Sequence, residues 1–193
     1  MKKIVSLVLC VAALFALGAA LTGCGENGGE AAGEKDSYTV GICQLMVHDS
    51  LDQATQGFTD ALTERMEEAG KEVEFLTQVA GDANLCSTVI NSFVSQNVDL
   101  ILGNATPALL AAANATTTIP VLGTSVTDYD DTFGGPLPEN VTGTSDAVPF
   151  DEQAQMMIDS LGLVAGDQVG VLYCTNESNS LIQYEAVKEL FEA

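Results

Sequence analysis

From Ser37 onward, short apolar runs alternate with longer stretches whose apolar residues recur every three or four positions. Residues 38–44 (YTVGICQ) form the first run and predict a strand; over 51–69, Leu51, Ala54, Phe58, Ala61, Leu62 and Met66 fall near helical spacing. Gly70 ends that helix, as a glycine just past a helix C-terminus commonly does. A second strand over 72–78 leads through Ala80, Gly81 and Asp82 into a helix with Leu85, Val89, Ile90, Phe93 and Val94 on one side. The run 98–103 is nearly all apolar and predicts a strand buried on both faces. Thr106 and Pro107 open the next helix, with a capping hydroxyl and a proline at the first helical position. Residues 119–124 read as a fourth strand and 140–144 as a fifth.

Strand and helix alternating four times over about 110 residues predict a parallel sheet covered on both faces, a three-layer, Rossmann-like α/β lobe occupying 37–147. The pattern then continues with an amphipathic helix over 150–163, a buried strand over 168–174 (QVGVLYC) and a helix over 178–193. One strand and two helices bury too little apolar surface to stand as a domain. Residues 148–193 are therefore expected to be a crossover and the incomplete start of a second lobe, and the chain the amino-terminal part of a longer protein.

The residues before Ser37 follow another logic. Lys2 and Lys3 precede an apolar run over 4–21, and Leu21-Thr22-Gly23-Cys24 closes it with small residues before a cysteine. This is the plan of an export signal over 1–23. The tetrapeptide resembles the bacterial lipobox, in which the chain is cut before a cysteine that then carries lipid, here Cys24. A run of 18 apolar residues is also just long enough for a spanning helix; the cysteine at its end and the Gly/Glu/Ala stretch beyond it favour the lipoprotein. Residues 24–36 then form a lipid-anchored flexible tether, a Gly-rich coil with an end-to-end distance of about 20 Å. The soluble part is expected on the extracytoplasmic face of the cell membrane.

Charge narrows the partners. Six Lys and Arg stand against 27 Asp and Glu, a net of −21, in a chain of 193 residues that is 47% hydrophobic. Loss of Lys2 and Lys3 with the signal leaves four basic residues against 27 acidic ones, a net of −23. Such a surface repels phosphate backbones, so no nucleic-acid partner is expected. Its plain use is solubility.

Removing Cys10 with the signal and lipidating Cys24 leaves Cys43, Cys86 and Cys174, an odd set with no C-x-x-C. Cys43 and Cys174 sit in predicted strands, where a thiol acts as a small core hydrophobe. Neither a structural disulfide nor a zinc site is expected, and no cofactor or metal is assigned. Enzyme signatures are missing: one histidine, His48, and no nucleophile elbow, P-loop, dinucleotide fingerprint or zincin motif. Asp128, Asp130 and Asp131 lack EF-hand spacing and read as a solvated acidic loop. The sequons at Asn104, Asn114, Asn140 and Asn176 read as turn and strand-end residues.

In an open α/β sheet the ligand lies beyond the carboxyl ends of the strands. Those loops carry Gln44, His48, Asp49 and Ser50; then Asn104, Ala105, Thr106 and Pro107; then Ser125, Thr127 and Asp128; then Ser145 and Asp146. Thr106 stands out, because its hydroxyl beside a helix start suits a carboxylate, although it also suits capping of its own helix.

The runs VGICQLMVHDSLDQATQGFTDAL, QVAGDANLCSTVINSFVSQNVDLILGNATPALLAAANAT, IPVLGTSVTD, ENVTGTSD and VGVLYCTNESNS, in this order, resemble the ABC-transporter substrate-binding family that includes tryptophan- and tyrosine-binding lipoproteins. The resemblance implies the type I periplasmic-binding fold, two Rossmann-like lobes closing on a small solute. It also implies that Gln44, Thr106, Pro107, Thr127, Asp128 and Asp146 line the first-lobe wall, with Asn176, Ser178 and Asn179 facing them. Cys43, where the family usually has a small polar residue, and the acidic, glycine-rich loop 129–138 depart from the pattern. The expected function is a monomeric solute-binding lipoprotein, not an enzyme, that delivers an amino acid or related compound to an ABC permease with its ATPase. The alternative is an extracytoplasmic sensor of similar lobes with no role in transport.

Overall fold

Five strands, β1 (Ser37–Gln44), β2 (Glu72–Val79), β3 (Leu100–Asn104), β4 (Val121–Val126) and β5 (Val141–Ser145), lie parallel in the order β2-β1-β3-β4-β5. The computed structural model describes residues 35–192. The segments read as an export signal and a tether, Cys24 with them, fall up to Glu34 outside the described residues. Helices α1 (Asp49–Glu68), α2 (Ala83–Ser95), α3 (Thr106–Ala115), α4 (Tyr129–Phe133), α5 (Phe150–Leu161) and α6 (Ser178–Glu192) complete the unit. Among the described residues no helix is long and apolar enough to cross a membrane.

Alternation along the strands divides the core. Val40, Ile42 and Leu102 face Phe58 and Leu62 of α1, whereas Cys43, Ile101, Val121 and Val141 face α2 and α3. On that second face α2 presents Cys86, Ile90 and Phe93, all fully buried at helical spacing; Ile90 and Phe93 each contribute about 1.5–3 kcal/mol of burial. Helix α3 approaches more closely, because Cys43, Gly103, Gly123 and Gly143 are register neighbours across four strands. A Cβ on Gly103 would stand 2.7 Å from the backbone of Leu109, and one on Gly143 would strike Tyr129 Oη and the backbone of Gly123. This glycine row seats Leu109 and the Tyr129 ring on the sheet. At the amino ends of the central strands β1 and β3, Lys35 and the Thr39 N–H both bind Asp99. Burial alone would raise that carboxyl, but these two donors outweigh it and hold it below the usual carboxylate range.

Two expectations fail. No strand forms over 168–174; the segment is exposed, with Leu172 fully in solvent, and Cys174 is exposed where a core thiol was expected. A strand needs a neighbour to take its N–H and C=O groups. The described sheet ends at β5, so apolar pattern alone does not make a ladder here. The second failure is α4, absent from the sequence reading of 129–138, which forms because the Asp128 carboxylate accepts from Asp131 N at 2.9 Å and Gly134 closes the turn at φ 63°.

Candidate functional site

The carboxyl ends of the strands hold most of the buried polar side chains, as the sheet rule requires. Gln44, at the end of β1, is buried and fully engaged. Its amide nitrogen donates to Met46 O at 2.8 Å and Asp52 Oδ1 at 2.6 Å, and its oxygen accepts from the Thr55 hydroxyl at 2.7 Å. Asn104, its register neighbour on β3, donates to Leu51 O at 2.8 Å and Thr55 Oγ1 at 2.9 Å. Together they anchor the first turns of α1 to the sheet. His48 has the local role of N-cap, its Nδ1 accepting from Ser50 N at 3.2 Å.

Asn104 Oδ1 is left without a partner, but Thr106 makes no side-chain hydrogen bond at all. The expectation that its hydroxyl caps α3 is not met: Ala105 occupies the N-cap position with φ 87° and ψ 153°, and no side chain caps the helix. That backbone region belongs almost exclusively to glycine and costs about 1–3 kcal/mol, a strain found mostly at ligand sites and switches. Thr106 is therefore inside the helix, 3% exposed, with Oγ1 lacking any hydrogen-bond partner.

That residue lines a cavity of about 280 Å³ whose floor is Pro107, Leu110, Ala111 and Asn114 of α3 with Ala83 and Ser87 of α2. Its other wall is Asn176, Glu177, Ser178 and Asn179. Ser178 Oγ and Asn179 Oδ1 are also buried without partners. Buried polar groups are nearly always paired; three unpaired ones sharing a cavity make a built recognition surface for a polar molecule. No Lys or Arg lines it, and Glu177 is its one charged residue. A larger cavity of about 350 Å³, between Val169, Val171 and Tyr173 and the Tyr184 and Phe191 side of α6, has none of these orphaned groups. It follows the uncovered apolar face of the 168–174 segment.

Of the nine residues expected to bind ligand, Thr106, Pro107, Asn176, Ser178 and Asn179 thus meet in one cavity. Gln44, Thr127, Asp128 and Asp146 lie outside its lining. Thr127 is buried and its carbonyl accepts from Ser145 Oγ at 2.7 Å; Asp128 caps α4; Asp146 is exposed. Tyr129, whose hydroxyl donates to Thr144 O at 3.3 Å, is raised in pKa first by burial and then by the Asp146 charge. Ser87 and Asn114 were not singled out as ligand residues. The helical spacing 107, 110, 111 and 114 places Asn114 on the Thr106 side of α3, but sequence alone does not say which face of that helix stays uncovered.

The family model for ABC transporter substrate-binding proteins matches residues 39–193. The chain belongs to this family. It is 34% identical to the tyrosine-binding protein of Clostridioides difficile over 97% of this chain and 56% of that protein. A solved Streptococcus pneumoniae ABC domain in complex with L-Trp is similar at 30% identity and a TM-score of 0.69, over 81% of this chain and 54% of that one. A conserved domain protein of Vibrio cholerae is similar at 31% identity and a TM-score of 0.71, over 79% and 53%. The chain spans about half the length of these relatives. Its described part has the fold of one lobe of a type I periplasmic-binding protein, and the family is one of substrate-binding proteins, not of enzymes.

Proposed function

We propose that this protein is a lipid-anchored, extracytoplasmic solute-binding component that delivers an amino acid or related small solute to an ABC permease and its ATPase. The observation that carries the reading is the cavity in which Thr106 Oγ1, Ser178 Oγ and Asn179 Oδ1 are all buried and unpaired. An amino acid matches it chemically. Its carboxylate takes the Thr106 hydroxyl at the start of α3, where the helix dipole favours negative charge. Its ammonium donates to Asn179 Oδ1 and is held by the Glu177 charge. Binding of tyrosine and of L-Trp by relatives supports the class of solute. The Cys24 anchor and membrane location rest on the signal and lipobox pattern.

The test is calorimetry of the family-length mature protein against amino acids, short peptides, nucleosides and sugars. An amino acid binding with a Kd of about 1 μM or tighter, about 8 kcal/mol, is expected. No binder in the panel overturns the reading.

A further inference from the structure

The cavity beside the unpaired Thr106 hydroxyl runs farther along α3 than the carboxylate and ammonium of an amino acid can reach. Its lining residues Thr106, Pro107, Leu110, Ala111 and Asn114 fall on one helical face. Thr106 and Asn114 stand two turns apart, about 12 Å along the helix axis. Between these polar ends the α3 wall is apolar, made by Pro107, Leu110 and Ala111. Ser87, one turn into α2, brings a hydroxyl to the same cavity. Ser87 and Asn114 are exposed, and among the described residues neither side chain has a hydrogen-bond partner. We propose that Asn114, assisted by Ser87, determines specificity by reading a neutral hydrogen-bonding group at the far end of a solute side chain whose body is apolar.

The inference rests on the reading of this cavity as an amino-acid site. With the carboxylate at Thr106 and the ammonium on Asn179 and Glu177, the side chain is left with a wall that is apolar for one turn and polar at its end. An apolar body loses water against Leu110 and Ala111, which favours binding. The tip must be neutral. Glu177 is the one charged residue of the lining and the ammonium takes it, so an ionised tip would enter without a counter-charge. The Asn114 amide carries both donors and an acceptor, so a hydroxyl or an amide can satisfy it. A volume of about 280 Å³ lies just below the range of drug-sized pockets, which suits one amino acid rather than a peptide. A side chain that ends in carbon at this place strips water from Asn114 and returns no hydrogen bond, and that loss is the source of discrimination.

L-Tyr and L-Phe differ by one hydroxyl at the end of the same apolar ring and form the probe pair. Calorimetry of the family-length mature protein is expected to give L-Tyr at least about tenfold tighter than L-Phe. In Asn114→Leu the preference should fall to within about threefold, through weaker L-Tyr binding alone, with the melting temperature held because the position is exposed. Ser87→Ala, at another exposed position, should narrow the ratio in the same direction. Equal binding of the two probes by the wild type overturns the inference. So does an unchanged ratio in Asn114→Leu, or a parallel loss for both probes, which would mark Asn114 as a structural residue. Binding of another amino acid but of neither probe also overturns it, and leaves the amino-acid site standing. Failure of every amino acid to bind instead sinks the reading of the site, and this inference with it.

Discussion

Thr106 and Gln44 are both buried polar residues at the carboxyl edge of the sheet, and their hydrogen bonding separates their roles. Gln44 spends its amide on Met46, Asp52 and Thr55, so it is part of the scaffold under α1. Thr106 Oγ1 is spent on nothing. Replacing an unpaired buried hydroxyl by an isosteric methyl removes a desolvation cost, whereas removing a ligand-binding hydroxyl costs binding energy. Thr106→Val is therefore expected to leave the melting temperature unchanged or slightly raised, while weakening solute binding by about tenfold, close to 1.4 kcal/mol. Calorimetry and a thermal melt on the same protein check both halves. A lower melting temperature with unchanged affinity would make Thr106 a structural residue. The sequence pointed to Thr106 through the rule that ligands sit beyond strand ends. It pointed to Gln44 by the same rule, but it could not show that the Gln44 amide is already spent, because whether a polar group is satisfied depends on partners from other elements.

At the scale of elements, strands and helices with both hydrophobic periodicity and a packing partner were readable, and β1 to β5 fall within a few residues of their expected bounds. The 168–174 segment had the periodicity without the partner, so its pattern misled. Helix α4 had little periodicity and arose from capping by Asp128. The glycine row was also hidden, because its meaning lies in cross-strand register. It yields a sharp expectation. A Cβ on Gly143 meets the Gly123 backbone, which cannot swing aside as a side chain can. Gly143→Ala should destabilise the lobe by about 2–4 kcal/mol, as overpacking with a backbone shift does. Gly135→Ala, where a Cβ meets nothing within 4 Å, should be near neutral and serves as the control. Urea denaturation of the two variants beside the wild type measures the difference, and equal midpoints would show that the row does not control the packing of α4.

For the molecule as a whole, the 27 acidic residues keep like charges crowded over the surface at neutral pH. The alkaline response reports on thiols, phenols and ammonium groups. Cys43 ordinarily titrates near 9 and is pushed up to about 12 in the folded state by burial, with the Cys86 thiol adding to it. Between these values the unfolded chain releases the proton that the folded chain keeps, so deprotonation favours unfolding. The contribution of Cys43 is whole below about pH 9 and declines as pH rises toward about 12. Half-buried Tyr129, also raised, acts in the same direction. Subtracting the urea-midpoint profile of Cys43→Ala from that of reduced wild type therefore isolates the thiol, and a flat difference between pH 9 and 11 would contradict its burial as the cause.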